Sequence, residues 1–140
     1  MRVMVIVKGD KNSEAGILPD KTLFEEMGKF NEQLIKAGVM LAAEGLKPTS
    51  SGKKVKFSAD TRTVIDGPFT ESKEIIAGFW LWQVRSMEEA VEWLKRAPFG
   101  GGAEIELRPV YENEDFGDAL TPERKERREQ LQRQMEKQKV

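Results

Sequence analysis

The segment between residues 75 and 84 restricts the fold more than any other part of this 140-residue chain. It reads Ile-Ile-Ala-Gly-Phe-Trp-Leu-Trp-Gln-Val and is the most apolar stretch of the sequence. Because successive side chains of a strand point to opposite faces, Phe79 and Leu81 would face one way and Trp80 and Trp82 the other. A strand that is apolar on both faces is typical of a central strand covered twice. We therefore expect helices on one face of a sheet and a second layer, from another source, on the other.

Short apolar runs and helical spacings surround this segment in an order typical of a split βαβ fold. The predicted strands run over 2–8, 39–46 and 103–110, with a hairpin at 54–58 and 62–65. One helix is predicted up to Gly38, with Thr22 and Glu25 as a capping box, and a second begins at Ser86, with Glu89 as its capping-box partner. The order predicts an α+β, ferredoxin-like sandwich with both helices on one face. The helix-free face, carrying Trp80 or Phe79 according to register, predicts a two-fold dimer with sheets packed face to face.

The sequence contains no histidine and no cysteine, which excludes disulfides, zinc-finger, haem and iron–sulfur sites, and every imidazole acid or base. The formal net charge of −1 gives no general attraction to nucleic acid or to an anionic membrane, so we expect neither as a partner. No apolar run reaches the roughly 18 residues of a membrane span, and no signal peptide is recognisable. We expect a cytoplasmic protein without a metal or cofactor.

The residues after Tyr111 differ in character from the rest. An acidic stretch leads to Thr121-Pro122-Glu123, which reads as an N-cap followed by proline at the first helical position. The pattern predicts a helix over 122–138 with Leu131 and Met135 as its apolar contacts. We expect it to be solvated, frayed or laid across a partner subunit.

Two groups of residues are candidates for chemistry. Asp66 ends a predicted strand just before Gly67-Pro68, so its carboxylate is held on a stiff turn, where it serves as a base or accepts backbone N–H groups. Glu106 and Arg108 project from the last strand, away from its apolar side chains. Arg108 suits an anionic ligand, or else pairs with Glu106, Glu104 or Asp66.

Other candidates have simpler structural interpretations. Glu44 lies in an otherwise apolar strand, at its frayed end or facing a pocket. Trp80, Trp82 and Trp93 could stack on a planar ligand, but aromatic residues at such positions mainly pack in the core.

One series of motifs runs through residues 1–117. It comprises Asp66-Gly67-Pro68-Phe69 with Glu71-Ser72-Lys73-Glu74 behind it, Ala77-Gly78-Phe79-Trp80, Ser86-Met87-Glu88-Glu89-Ala90 and Glu104-Ile105-Glu106-Leu107-Arg108-Pro109-Val110. With Met27-Gly28-Lys29-Phe30-Asn31 and Glu44-Gly45-Leu46, this series closely resembles the YCII-related domain family, in the branch named for its DGPF motif.

The resemblance implies a dimeric α/β barrel over residues 1–117, with a pocket where two sheets meet. Residues 118–140 lie beyond it and are predicted from their own pattern to form a charged helical extension. Other branches resemble small enzymes that use a His and Asp pair, and elimination chemistry is associated with part of that group. This chain retains Asp66 but has no histidine near the loop 97–101, where many DGPF relatives are expected to carry one. Some relatives occur beside or joined to alternative sigma factors.

These observations lead to two expectations of function. The first is a homodimer that binds a small aromatic or carboxylate ligand, with a lyase- or isomerase-like reaction as one form of that function. Asp66 would accept a proton or hydrogen bond as the catalytic residue, and Arg108 would bind the anionic group. The remaining lining residues would be Gly67, Pro68, Phe69, Trp80 or Phe79, and Glu106. The alternative is a non-enzymatic dimeric interaction or regulatory module linked to alternative sigma factors, in which the helix at 121–140 meets a protein partner.

Overall fold

The computed structural model describes residues 1–69 and 75–138. The chain divides into two compact units, Met1–Pro109 and Val110–Val140, which are taken separately below. The string Glu71-Ser72-Lys73-Glu74 lies outside the described residues.

The first unit contains a four-stranded antiparallel sheet in the order β2-β5-β1-β6 and a separate two-stranded sheet, β3-β4. Its helices α2 and α3 follow β1 and β5, and a short helix α1 precedes α2. The strands are β1 (Arg2–Lys8), β2 (Met40–Gly45), β3 (Lys53–Phe57), β4 (Arg62–Asp66), β5 (Ile76–Gln83) and β6 (Ile105–Pro109), and the helices are α1 (Lys11–Glu14), α2 (Lys21–Lys36) and α3 (Met87–Lys95).

This arrangement is α+β and compatible with a ferredoxin-like fold. The predicted strand at the centre of the sequence, β5, lies inside the sheet between β2 and β1, as its two apolar faces indicate. Over the described residues the four-stranded sheet is open, with β2 and β6 at its edges, so a single chain does not form a barrel.

The core lies between the sheet and α2 and α3. Trp80 and Trp82 are 5% and 0% exposed, and Phe30 of α2 meets both rings edge-on, at centroid distances of 5.9 and 6.3 Å. The Trp80 Nε1–H donates to Asn31 Oδ1 at 2.9 Å, which satisfies its polar edge. Each large apolar side chain buried in this way contributes about 1.5–3 kcal/mol of transfer free energy. The same alternation that buries the two tryptophans turns Phe79 and Leu81 away from the helices.

Of the two capping boxes predicted from the sequence, the one at Ser86 starts a helix and the one at Thr22 does not. Ser86 caps α3 as predicted, because its Oγ accepts the Glu89 N–H at 3.1 Å. The capping box predicted at Thr22 is wrong, since α2 begins earlier and Asp20 Oδ1 accepts the Leu23 N–H at 2.8 Å. Aspartate caps a helix as well as threonine does, so the earlier residue sets the start. Gly38 follows α2 with φ +72°, a conformation that favours glycine.

The second unit is a 3-10 segment, Asn113–Ala119, followed by helix α4 (Pro122–Gln138), whose bounds match the predicted ones. Tyr111 stacks on Phe116 at 5.4 Å, and the Arg128 guanidinium lies over the Phe116 ring at 5.0 Å. Helix α4 has no buried residue and no apolar face, so local contacts of this kind hold the unit together.

None of the helices within 1–69 and 75–138 combines the length and the apolar character that a bilayer crossing requires.

Candidate functional site

The face of the four-stranded sheet opposite α2 and α3, here called the helix-free face, carries two rows of side chains. Cα partners on neighbouring strands point to the same face, so the register defines each row. Apolar residues of the two central strands fill the middle of both rows, and charged residues lie toward the edges. The rows are Glu44, Phe79, Ile6, Glu106 and Ala42, Leu81, Met4, Arg108.

The register decides which aromatic residue belongs to this face. Phe79 lies opposite Ile6 of β1, which in turn lies opposite Glu106 of β6. Trp80 lies opposite Val5 on the other face, beneath the helices. The structure therefore brings Phe79, and not Trp80, to the face that carries Glu106 and Arg108.

Glu106 joins two cations on this face. Its Oε1 lies 3.0 Å from Lys8 Nζ, and its Oε2 lies 3.7 Å from Arg108 Nε. Of the partners considered for Arg108 from the sequence, the structure thus selects Glu106. The contact is loose, since the Arg108 side chain is 71% exposed and the distance of 3.7 Å is long for an ion pair. Glu106 is the one ion-pair or hydrogen-bond partner of the Arg108 side chain within residues 1–69 and 75–138.

Glu44 occupies the opposite edge of the same face, on β2 and directly across from Phe79. It is exposed, and no ion pair to it occurs among residues 1–69 and 75–138. Glu44 is the next-to-last residue of β2, so it lies near the strand end, as one of its two sequence interpretations has it, and it belongs to the helix-free face.

Asp66 lies on a different element. It is the last residue of β4, its side chain is 75% exposed, and it forms an ion pair with Lys53 on the neighbouring strand β3. Within the described residues no hydrogen bond or ion pair joins Asp66 to Glu106 or Arg108. In one chain, the candidate base and the candidate anion-binding residue therefore belong to different sheets.

The turn that follows Asp66 is fixed by contacts with residues far away in sequence. The Gly67 N–H donates to Gly52 O at 3.0 Å, and the Phe69 N–H donates to Thr49 Oγ1 at 3.0 Å. A Cβ at Gly67 would overlap the carbonyl oxygen of Thr49, so only glycine fits there. The Lys54 ammonium lies 4.4 Å from the centre of the Phe69 ring.

Thr49 is held in turn by Glu14 of α1. The carboxylate of Glu14 accepts the Thr49 N–H at 2.9 Å and the Thr49 hydroxyl at 2.6 Å. These two hydrogen bonds, here called the Glu14–Thr49 clamp, hold Thr49 on a charged acceptor. Thr49 in turn contacts the turn that carries Gly67 and Phe69. Sequence reasoning missed both residues, because neither lies in a motif and the short helix that positions Glu14, capped by Asp10, was not predicted.

A shallow groove of about 290 Å³ lies elsewhere, between the end of α2 and one side of α3. Its charged lining is already paired, because Arg85 contacts Glu89 at 3.3 Å. The Arg96 guanidinium covers the Trp93 ring at 4.5 Å. One face of the Trp93 ring, a candidate for stacking on a ligand, is therefore covered by a side chain of the same chain.

Comparison with known proteins agrees with the motif resemblance at the family level. A profile of the YCII-related domain matches residues 1–114. An uncharacterised protein of Rhizobium meliloti is 29% identical over 76 residues, which cover 54% of this chain and 61% of that protein. The chain thus spans about three fifths of the length of this curated relative.

Proposed function

This chain belongs to the YCII-related domain family, and on that premise we propose that it is a homodimeric small-molecule-binding protein. The ligand site lies where the helix-free faces of two copies meet, and the two sheets form the dimeric α/β barrel. The string Asp66-Gly67-Pro68-Phe69 supports assignment to the DGPF branch of the family.

The apolar centre of the helix-free face supports the dimer. Met4, Phe79 and Leu81 remain partly exposed in one chain, although they sit on the two central strands of its sheet. Sheets that pack face to face lie about 10 Å apart and interdigitate side chains of this kind. A two-fold axis lets the same patch cover itself, so a second copy supplies the missing layer.

Arg108 supports an anionic ligand. Its side chain is 71% exposed on the same face as Phe79 and Leu81, and its one contact, with Glu106, is long at 3.7 Å. A guanidinium offers two parallel N–H groups that match a carboxylate. An aromatic carboxylate or phenolate would place its charge on Arg108 and its ring on the apolar centre. This pairing of an exposed arginine side chain with an apolar surface is the observation on which the proposal rests.

Binding without turnover is the form of this function that the geometry supports best. A lyase- or isomerase-like reaction needs a proton acceptor at the ligand, and Asp66 is the candidate. Its carboxylate is exposed on the hairpin beside Lys53, whereas acid–base residues act within hydrogen-bond reach of the bound substrate. Catalysis would therefore require that the dimer place Asp66 of one copy beside Arg108 of the other.

The test uses benzoate and its neutral isostere benzamide as probes. We expect benzoate to raise the unfolding temperature of the full chain and benzamide to do so far less, because only benzoate carries the charge for Arg108. Arg108→Gln should abolish the benzoate effect. Arg85→Gln is the matched control, since Arg85 is 94% exposed on the groove side and should leave the effect intact. Equal responses to the two probes, or a response that survives Arg108→Gln, would contradict the proposal.

One observation favours a second candidate, a non-enzymatic regulatory module. Leu131 and Met135 are 42% and 59% exposed on α4, a helix that is otherwise polar, and they offer a partner two apolar contacts. Deleting residues 121–140 should then abolish binding to an alternative sigma factor from the same genome, measured by interferometry, while the dimer persists. Loss of the dimer in the truncated chain would contradict this reading.

A further inference from the structure

The hairpin formed by β3 and β4 lacks the packing that a two-stranded sheet needs. All ten residues of its strands are exposed, and within the described residues the two strands pair only with each other. Val55, Phe57 and Val64 share one face of the hairpin and are 51%, 69% and 60% exposed. Isolated two-stranded sheets are marginally stable in water. This hairpin therefore exposes both an apolar strip and two strand edges.

The pairing pattern shows which backbone groups face outward. The Ser58 N–H donates to Thr61 O at 3.1 Å across the two-residue turn. Hydrogen-bonded and non-hydrogen-bonded pairs alternate along an antiparallel ladder. From this alternation, the backbone N–H and C=O groups of Arg62, Val64 and Asp66 point away from β3, toward the open edge of β4.

The charges of β4 match those of a second copy of the same strand paired antiparallel to it. It reads Arg-Thr-Val-Ile-Asp over 62–66. In an antiparallel pair of two β4 strands centred on Val64, Arg62 lies opposite Asp66 of the partner subunit, and Asp66 lies opposite Arg62 of the partner subunit. The strand β3 lacks this property, because the same operation centred on Val55 places Lys54 opposite Lys56 of the partner subunit. Lysines on an edge strand discourage pairing there.

We propose that β4 is a self-association edge, which pairs with β4 of a second copy to give a four-stranded sheet in the order β3-β4-β4-β3. Val64 lies on the two-fold axis, and two Arg62–Asp66 contacts flank it. Because Val55, Phe57 and Val64 point to one face, the apolar strips of the two hairpins become continuous. The surface is distinct from the helix-free face, so this contact does not depend on the proposed ligand site. Few residues take part, and the contact is accordingly weak and reversible.

Cysteine cross-linking tests this pairing directly, since the natural chain has no cysteine. Residues directly opposite in an antiparallel pair have Cα atoms about 5.5 Å apart, which suits a disulfide. Val64→Cys should therefore form a covalent dimer under mild oxidation at 50–100 µM protein, roughly tenfold faster than the control. Val55→Cys is that control: it is similarly exposed on the same face, but its counterpart lies three strand spacings away, about 14 Å. Equal rates for the two variants, or no cross-link with Val64→Cys, would overturn the proposal.

Charge reversal gives a second test, in which a change in the pairing between two copies can be told apart from a disturbance within one hairpin. In the Val64→Cys background, Arg62→Asp and Asp66→Arg each place like charges across the axis and should slow cross-linking about tenfold. Mixing the two variants places opposite charges at both contacts, so mixed dimers, identified by mass spectrometry, should form faster than either variant alone. Both substitutions also disturb contacts within the hairpin, because Arg62 donates to Ser58 O and Thr61 O and Asp66 pairs with Lys53. Since mixing cannot repair those internal contacts, a mixture that cross-links no faster than its components would overturn the proposal.

Discussion

Removing the hydroxyl of Thr49 should loosen the turn that carries Gly67 and Phe69. In the structure this hydroxyl donates to Glu14 Oε2 at 2.6 Å and accepts the Phe69 N–H at 3.0 Å. Thr49→Val keeps the size and branching of the side chain but removes both contacts. It leaves the Phe69 N–H and one carboxylate oxygen of Glu14 without this partner.

The magnitude follows from the kind of each hydrogen bond. A bond to a charged group contributes about 1.5–3 kcal/mol and one between neutral groups about 0.5–1.5 kcal/mol. Both bonds are partly buried, so water replaces part of each, and we take about 2 kcal/mol as the net loss. Since 1.4 kcal/mol is a factor of ten, opening of the turn should become about 30-fold more frequent.

Amide hydrogen exchange measures this opening. The reporter is the Gly67 N–H, because its own acceptor, Gly52 O, is untouched by the substitution. Its exchange should accelerate about 30-fold in Thr49→Val, while the amide of Val5 in the central sheet keeps its protection. Thr49→Ser retains the hydroxyl and is the control. Unchanged exchange at Gly67 in Thr49→Val, or equal acceleration in Thr49→Ser, would show that the Thr49 hydroxyl does not hold this turn.

Two further predictions concern stability, read from urea unfolding. Gly67→Ala should lower the free energy of unfolding by more than about 1 kcal/mol, because the new Cβ overlaps the Thr49 carbonyl oxygen. Gly28→Ala should raise it by about 0.5–1 kcal/mol, because Gly28 lies in the middle of α2 with open space around its Cβ. An unchanged stability in Gly67→Ala would contradict the overlap. Trp80→Phe should lower the free energy of unfolding by about 1–3 kcal/mol, because it removes the donor to Asn31 Oδ1 within the core. A smaller loss than that caused by Trp93→Phe would show that this hydrogen bond does not stabilise the fold.

The positions of strands and helices were largely predictable because their signals are local. The alternation over 75–84 identified the central strand, and Ser86 identified the start of α3. The choice between Phe79 and Trp80 for the helix-free face was not predictable, because both faces of that strand are apolar and only the pairing with β1 decides. The register is a property of the assembled sheet.

The candidate site was predictable only in part, for a related reason. Glu106 and Arg108 were identified because their charges alternate with apolar residues on one strand. The Glu14–Thr49 clamp joins residues 35 positions apart, and neither lies in a pattern that indicates the other. Asp66 was identified because it precedes the stiff Gly67-Pro68 turn. Its partner Lys53 was not, because only the register between β3 and β4 places the two residues opposite each other.

Sedimentation equilibrium of the full chain at low micromolar concentration tests whether the helix-free face is a dimer interface. We expect the natural protein to sediment at twice the 15.9 kDa mass of one chain. Phe79→Lys, which places a charge at the centre of the face, should reduce the mass to 15.9 kDa. Ile35→Lys, at a residue 56% exposed on α2, should leave the dimer unchanged. A natural protein that sediments as a monomer, or a Phe79→Lys variant that remains a dimer, would show that the helix-free face is not a dimer interface.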